Sequence, residues 1–265
     1  VADFRRRDMA AGGQSAGSAP FAATVVEPAG APVLDGTVRL RAVNAGGMDI
    51  SQANLTANGA AGTSLNLDAV VNGATLTTAG LLTPRDGTIG LRLDRLSLAR
   101  SGTSITNSAP ANFRWSGDTL TIDRLALATR GGSASVSGRA GSSLALAVTL
   151  TTLPLALADL AAPGLGLSGT LSGSARLDGP ASAPTGTYSL TVARVSTRDL
   201  SANGVGPLDI RADGRFADGR VSTRATVTGR FLSDVSLTGS APLGAGDLDL
   251  AIRGALDLGL ANPML

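Results

Sequence analysis

Apolar and polar residues alternate with a period of two along most of this chain, which restricts it to β-strands with one covered face and one wet face. Val38 and Leu40 alternate with Arg39 and Arg41, and Leu65, Leu67 and Ala69 alternate with Asn66 and Asp68. Ile89, Leu91 and Leu93 follow against Gly90, Arg92 and Asp94, then Leu144, Leu146, Val148 and Leu150 against Ala and Thr. Val221, Thr223, Ala225 and Val227 lead on to Leu248, Leu250 and Ile252, and then to Leu256, Leu258 and Leu260. A parallel sheet covered on both faces would read as continuous apolar runs; this pattern predicts an antiparallel sheet instead.

Turn signals separate the runs: Asp35-Gly36, Asp86-Gly87, Asp178-Gly179, Asp213-Gly214, Asp218-Gly219 and Arg130-Gly131-Gly132. Asp-Gly supplies the positive φ angles of tight hairpins. One short stretch, Leu155 to Ala162 ahead of Pro163-Gly164, predicts a turn or two of helix. Residues 1–36, rich in Ala, Gly, Ser and Pro, carry the least pattern and form a loosely ordered lead-in; 37–265 form the repetitive sheet.

An octapeptide recurs. Leu91-Arg92-Leu93-Asp94-Arg95-Leu96-Ser97-Leu98 matches Leu120-Thr121-Ile122-Asp123-Arg124-Leu125-Ala126-Leu127, with a looser copy from Leu190 to Thr197. In the first two, apolar parity flips at the Asp-Arg step. An unbroken strand would there turn half its apolar side chains outward, so a bulge or break is expected. The Asp-Arg pairs themselves read as exposed and solvated, with little energy at stake.

Roughly sixteen strands of about six residues would each rise about 20 Å and together make a sheet about 75 Å long. Open twisted sheets of that size curl or split. The apolar face needs cover and no helices supply it, so the sheet folds over as a gutter or taco, or divides into a sandwich.

Composition narrows function. Hydrophobic residues reach 43% but aromatics only 3%, so bulk comes from Leu, Val, Ile and Ala, and Gly adds 35 residues. Leu and Ala suit a thin, extended structure better than a compact core, which relies on aromatic rings. Every basic residue is Arg, and a net charge of +2 leaves no electrostatic footprint for nucleic acid. Cys and His are absent, which excludes thiolate nucleophiles, Ser-His dyads, structural zinc and His metal ligands. Only a carboxylate enzyme remains, and its residues read otherwise. Asp35, Asp86, Asp178, Asp213 and Asp218 belong to turns, and Asp94 and Asp123 to polar strand faces. No enzyme, metal site or cofactor is expected. Gly164-Leu165-Gly166-Leu167-Ser168-Gly169 lacks the lysine and following helix of a phosphate loop.

Leu144 to Leu167 is apolar apart from Asp159, but Pro154, Pro163 and its alternation argue against a membrane helix. Arg5-Arg6-Arg7 reads as a solvated charge run. Val1 is not an initiator Met and Leu265 carries no sign of a cap, so the chain reads as an internal piece of something longer.

Three passages carry a family resemblance. One runs from Val136-Ser137-Gly138-Arg139-Ala140-Gly141 through Leu144 to Leu160. The next runs from Leu167-Ser168-Gly169-Thr170-Leu171-Ser172-Gly173 to Asp178-Gly179 and Ala183-Pro184. The last runs from Leu237-Thr238-Gly239-Ser240-Ala241-Pro242-Leu243 through Leu248 to Leu260. Their Gly and Leu cadence, with no catalytic signature, resembles the repeat of the TamB family, the inner-membrane-anchored subunits of the translocation and assembly module and relatives of AsmA-like proteins. The similarity covers about Thr88 to Leu265.

What the resemblance implies is a β-taco in the periplasm of a Gram-negative bacterium, anchored in the inner membrane through a segment absent here. It would pass phospholipid acyl chains toward the outer membrane and support assembly of outer-membrane proteins with a TamA-type partner; contact with that partner does not carry over to this segment. The apolar face is the expected lipid-binding surface, since burial of acyl chains contributes about 0.8 kcal/mol per CH₂. Leu146, Val148, Leu190, Val192, Leu248, Leu250, Leu256 and Leu258 are its candidate lining. The same face could instead be the closed core of a sandwich, in a passive structural or adhesive module of the kind found in surface-protein passengers.

Overall fold

The computed structural model describes residues 2–4, 21–26, 33–45, 48–59, 62–85, 87–162 and 164–256. Nearly all of them are strand, and the pairings of neighbouring strands are antiparallel, as the alternation requires. The chain divides into two compact units, Val1–Ala128 with Leu160–Ala162, and Thr129–Asp159 with Pro163–Leu265.

The first unit is a meander of β1 (Ala2–Phe4), β2 (Phe21–Val26), β3 (Val33–Ala45), β4 (Met48–Gly59), β5 (Thr63–Val71), β6 (Ala74–Arg85), β7 (Thr88–Arg100), β8 (Thr103–Asn107), β9 (Ala111–Ser116) and β10 (Thr119–Thr129, its last residue falling in the second unit). The short β8 and β9 share one place in the sheet: β7 pairs with both, and so does β10. The gap between them lies beside both Asp-Arg steps. In β7, Ala79 faces Arg95 while Gly80 faces Leu93, so Asp94 is the extra residue of a bulge. Asn107 fills the gap. Its Oδ1 accepts from the Leu96 N–H at 2.7 Å, and its Nδ2 donates to the carbonyls of Asp94 (3.1 Å) and Ala109 (3.0 Å). In β10, pairing with β9 reaches Ile122 opposite Phe113, and beyond the Asp123-Arg124 step the N–H of Ser108 donates to Ala126 (2.9 Å). The repeat thus marks where β7 bulges and where β10 passes from β9 to β8. Asp94, Arg95, Asp123 and Arg124 are exposed, and Asp94 pairs with Arg92 two residues back at 2.8 Å.

The second unit is a plain meander of β11 (Gly132–Ala140), β12 (Ser143–Pro154), β13 (Ser168–Pro180), β14 (Thr185–Ser196), β15 (Leu208–Ala217), β16 (Arg220–Gly229), β17 (Leu232–Pro242) and β18 (Asp249–Leu256). Bulges recur near one end of its strands. Thr152 in β12 and Arg194 in β14 adopt positive φ (43° and 55°), and register shifts fall beside both. Each freed N–H is taken by a side chain of the next strand: Thr152 donates to Ser172 Oγ (2.9 Å) and Arg194 to Asp209 Oδ1 (2.8 Å). The looser third copy of the octapeptide therefore also bulges, at its Arg.

The helix expected at Leu155 to Ala162 is present as a 3-10 turn, Leu155–Leu157, followed by α1, Ala158–Ala161. A second one, α2 (Arg198–Ala202), was not foreseen; Thr197 caps it by accepting from the Leu200 N–H at 3.1 Å, with Asp199 in the first turn. No helix among the described residues is long and apolar enough to cross a membrane, and Leu144 to Pro154 is strand.

Three expectations need correction. The strands reach 13 residues in β3, β7 and β13, about twice the expected length, and in β7 the Asp94-Arg95 step is a bulge inside one continuous strand. Asp35-Gly36 and Asp213-Gly214 are not turns but lie inside β3 and β15, with both carboxylates on exposed strand positions. Parity explains the difference. Ile210, Ala212, Gly214 and Phe216 keep one phase straight through Asp213, whereas the phase breaks between Phe216 and Val221, and there Asp218-Gly219 makes a hairpin with φ of 54° and 67°. Asp178-Gly179 closes β13, with the turn just after it at Ala181-Ser182. Within residues 1–36, β1, β2 and the start of β3 are described, with β2 in register on β3 from Phe21 opposite Val38 to Val26 opposite Val33. Arg5, Arg6, Arg7, Asp86, Leu258 and Leu260 lie outside the described residues.

Candidate functional site

Period-two geometry sends alternate side chains of each strand to opposite faces, and the register then fixes which of them stand side by side. In the second unit four cross-strand rows result. The first is Gly138–Leu146–Leu177–Gly186–Phe216–Val221–Ala241, and the second Val136–Val148–Ala175–Tyr188–Gly214–Thr223–Gly239–Leu250. The third is Ala134–Leu150–Gly173–Leu190–Ala212–Ala225–Leu237–Ile252, and the fourth, beside the bulges, is Leu153–Leu171–Val192–Ile210–Val227–Val235. Rows two residues apart along the strands are about 6.6 Å apart, and eight strands span about 34 Å across them. Within the four rows, Tyr188 and Thr223 supply the only side-chain polar atoms.

The opposite face is polar in the same register. Thr187, Arg215 and Ser222 form one line, and Ser189, Asp213, Arg224 and Thr238 the next. All seven are exposed. Thr187, Asp213, Arg215, Ser222, Arg224 and Thr238 frame a shallow trough of about 480 Å³. Its walls carry both signs of charge and hydroxyls, which suits water and not an acyl chain.

Side chains in the four rows are half-buried, apart from Leu250 and Ile252, which are 50% and 70% exposed. Close-packed interiors seal large aliphatic side chains completely. Among the described residues, the apolar side chains sealed to that degree are Ala69, Ala74, Ala111, Leu160 and Pro184, of which only Leu160 is a large aliphatic side chain.

Glycine and the single tyrosine shape this face. Tyr188 lies across Gly214, where a Cβ would meet the ring at 2.5 Å, and packs on Phe216 with centroids 5.8 Å apart. Its hydroxyl reaches Thr223 Oγ1, 2.6 Å away on the strand beyond. Gly173 gives way to Leu190 in the same fashion, with Leu190 Cδ2 2.7 Å from where its Cβ would stand.

The expected lining residues fall as follows. Leu146 and Val148 stand on β12 and Leu190 and Val192 on β14, all four on this face but in four different rows. Leu250 ends the second row on β18, and Leu248, 67% exposed, stands one residue ahead of that strand. Leu256 is the last residue of β18, opposite Leu232, and Leu258 lies outside the described residues. The candidate lining left out Leu171, Leu177, Ile210, Tyr188 and Thr223. Each stands an even number of residues from an apolar neighbour on its own strand, so parity places them all. No cluster of three or more carboxylates that could hold a metal occurs among the described residues. The first unit has a comparable face, for example in the row Thr63–Leu82–Leu91–Phe113–Ile122.

Comparison of the chain with protein-family models, curated proteins and solved structures found no match.

Proposed function

We propose that this chain is a segment of a TamB-like envelope protein whose apolar sheet face is the lining of a groove that carries phospholipid acyl chains. The observation that carries the reading is the combination of four largely aliphatic rows in register with side chains that are not sealed from solvent. A surface of Leu, Val, Ala and Gly takes up hydrocarbon by removing it from water, about 0.8 kcal/mol per CH₂, and asks for no particular chain geometry. An apolar face left partly open to water is the kind of surface that takes a partner. On this reading the protein works in the periplasm between the two membranes, held at the inner one through a segment outside this chain, and supports outer-membrane protein assembly with a TamA-type partner. It carries out no chemistry of its own.

The test is capture of lipid. A photocrosslinking amino acid placed at Leu146 or Leu250, in protein expressed in a Gram-negative cell, is expected to yield phospholipid adducts by mass spectrometry. The same group at Ala147 or Ala251, one residue away on the opposite face, is expected to yield none. Absence of adducts at Leu146 and Leu250, with protein–protein crosslinks in their place, overturns the conduit and leaves a closed structural or adhesive module.

A further inference from the structure

We infer that the Tyr188–Thr223 hydroxyl pair is a polar station within the apolar face, a hydrogen-bond site for the ester carbonyl of a bound acyl lipid. The inference rests on the reading of this face as an acyl-chain surface and goes beyond it by naming the part of the lipid that is recognised and the residues that recognise it.

The four rows contain two side-chain polar atoms, and those two meet at 2.6 Å. Each hydroxyl brings one donor hydrogen and two acceptor lone pairs. Their mutual bond uses one hydrogen, whichever oxygen donates, so one O–H always remains. Neither hydroxyl has another protein partner among the described residues. The sheet's own N–H groups face along the ladder and not out of it, so the remaining O–H is the one donor that the rows hold out toward a ligand. Plain hydrocarbon cannot accept it. An ester carbonyl can.

The surroundings fit that use. Ala175, Gly214 and Gly239 flank the pair in its own row, so no large side chain stands over it along that line. On either side along the strands come Phe216 and Val221 in one row and Leu190 and Ala225 in the other, apolar surface for the chain leading to the carbonyl. Tyr188 is fixed for the task. Its ring has Gly214 beneath it and Phe216 beside it, so the hydroxyl cannot swing away without losing both contacts. Removing Tyr188's oxygen alone leaves that packing intact.

The experiment compares two single-chain lipids that differ only in the carbonyl: palmitoyl lysophosphatidylcholine and its hexadecyl ether analogue, both below their micelle concentrations, titrated into the full chain by calorimetry. The wild type is expected to bind the ester about three- to tenfold more tightly than the ether, the worth of one hydrogen bond. Tyr188→Phe combined with Thr223→Val, which removes both hydroxyls, should bring that ratio to about one while the ether's affinity holds, because either hydroxyl alone would still offer one O–H. Because Tyr188 is the only tyrosine, a carbon-13 label at its hydroxyl-bearing ring carbon gives a single signal, which should shift with the ester and not with the ether. Binding of both lipids by the wild type with equal affinity overturns the station and leaves the groove standing. Binding of neither removes the groove itself, and the station with it. Retention of the ester preference in the double variant, checked for sheet content by circular dichroism, shows that the preference arises elsewhere and also overturns the station. Should the double variant fail to fold, the wild-type ratio and the tyrosine carbon signal still decide.

Discussion

Two glycines in the middle of strands show how differently one residue type is used. A Cβ on Gly214 would stand 2.1 Å from the Ser222 carbonyl oxygen and 2.5 Å from the Tyr188 ring, so a side chain there must displace backbone or tyrosine. Gly90 in β7 would place its Cβ 3.4 Å from the Thr83 carbonyl oxygen, a normal contact, and its φ is not positive. Gly214→Ala is expected to cost about 1–3 kcal/mol by overpacking. Gly90→Ala should be neutral or stabilise by about 0.5 kcal/mol, since glycine is a poor strand residue with no compensating use at that site. Urea titrations followed by circular dichroism check both; equal losses would mean that Tyr188 does not depend on the bare backbone beneath it.

At the scale of elements, the bulges hold the sheet's faces consistent, and their stability lies in the side chains that take up freed backbone groups. Asn107 makes three hydrogen bonds across the gap between β8 and β9. Asn107→Ala should cost about 1–3 kcal/mol, because the Leu96 N–H loses its acceptor in a part-buried place. Hydrogen exchange at the Leu96 amide should accelerate together with that loss, while amides in β13 and β14 keep their protection. This layer was partly legible in the sequence. The phase flip at Asp94-Arg95 announces a bulge without any structure, because parity must recover for Leu96 and Leu98 to rejoin Leu91 and Leu93. Strand length was misjudged, since about six residues were expected where β7 runs for 13 straight through its bulge. The Asp213-Gly214 dipeptide misled in the opposite sense: it permits a turn, but Ile210 to Phe216 keep one phase through it, and phase outranks the dipeptide. The helix α2 could have been read from Thr197 with Asp199 two residues on. Face membership of Leu146, Val148, Leu190, Val192 and Leu250 followed from alternation alone. Their rows did not, because alternation is blind to which residues of two strands stand opposite each other. For the same reason the meeting of Tyr188 and Thr223, 35 residues apart, lay beyond the sequence.

For the molecule as a whole, the balance between core and surface matters most. Large side chains sealed from solvent are nearly missing among the described residues, so stability comes from ladder hydrogen bonds and from half-buried contacts spread over many strands. No single residue of the apolar face then holds the fold together, and a charge at an exposed position such as Leu250 should be tolerated structurally. Leu250 and Ala251 are neighbours on β18, both exposed, and point to opposite faces: Leu250 stands opposite Gly239 in an apolar row and Ala251 opposite Thr238 among polar residues. On the proposed reading, Leu250→Arg sets a cation on the path of an acyl chain, and a charge in hydrocarbon surroundings costs about 2.5–3.5 kcal/mol even when the long side chain bends away from the chain. Ala251→Arg adds the same charge to the same strand where Arg224 and Arg253 already stand in the open. In the full-length protein, Leu250→Arg is expected to slow phospholipid transfer between donor and acceptor vesicles tenfold or more, with sheet content and melting temperature close to wild type, and Ala251→Arg to leave transfer unchanged. Equal slowing by both would assign the effect to charge on the protein and not to the face. Loss of folding in Leu250→Arg alone would mean that the row is packed under cover, because an open rim has room for an arginine and a sealed core does not.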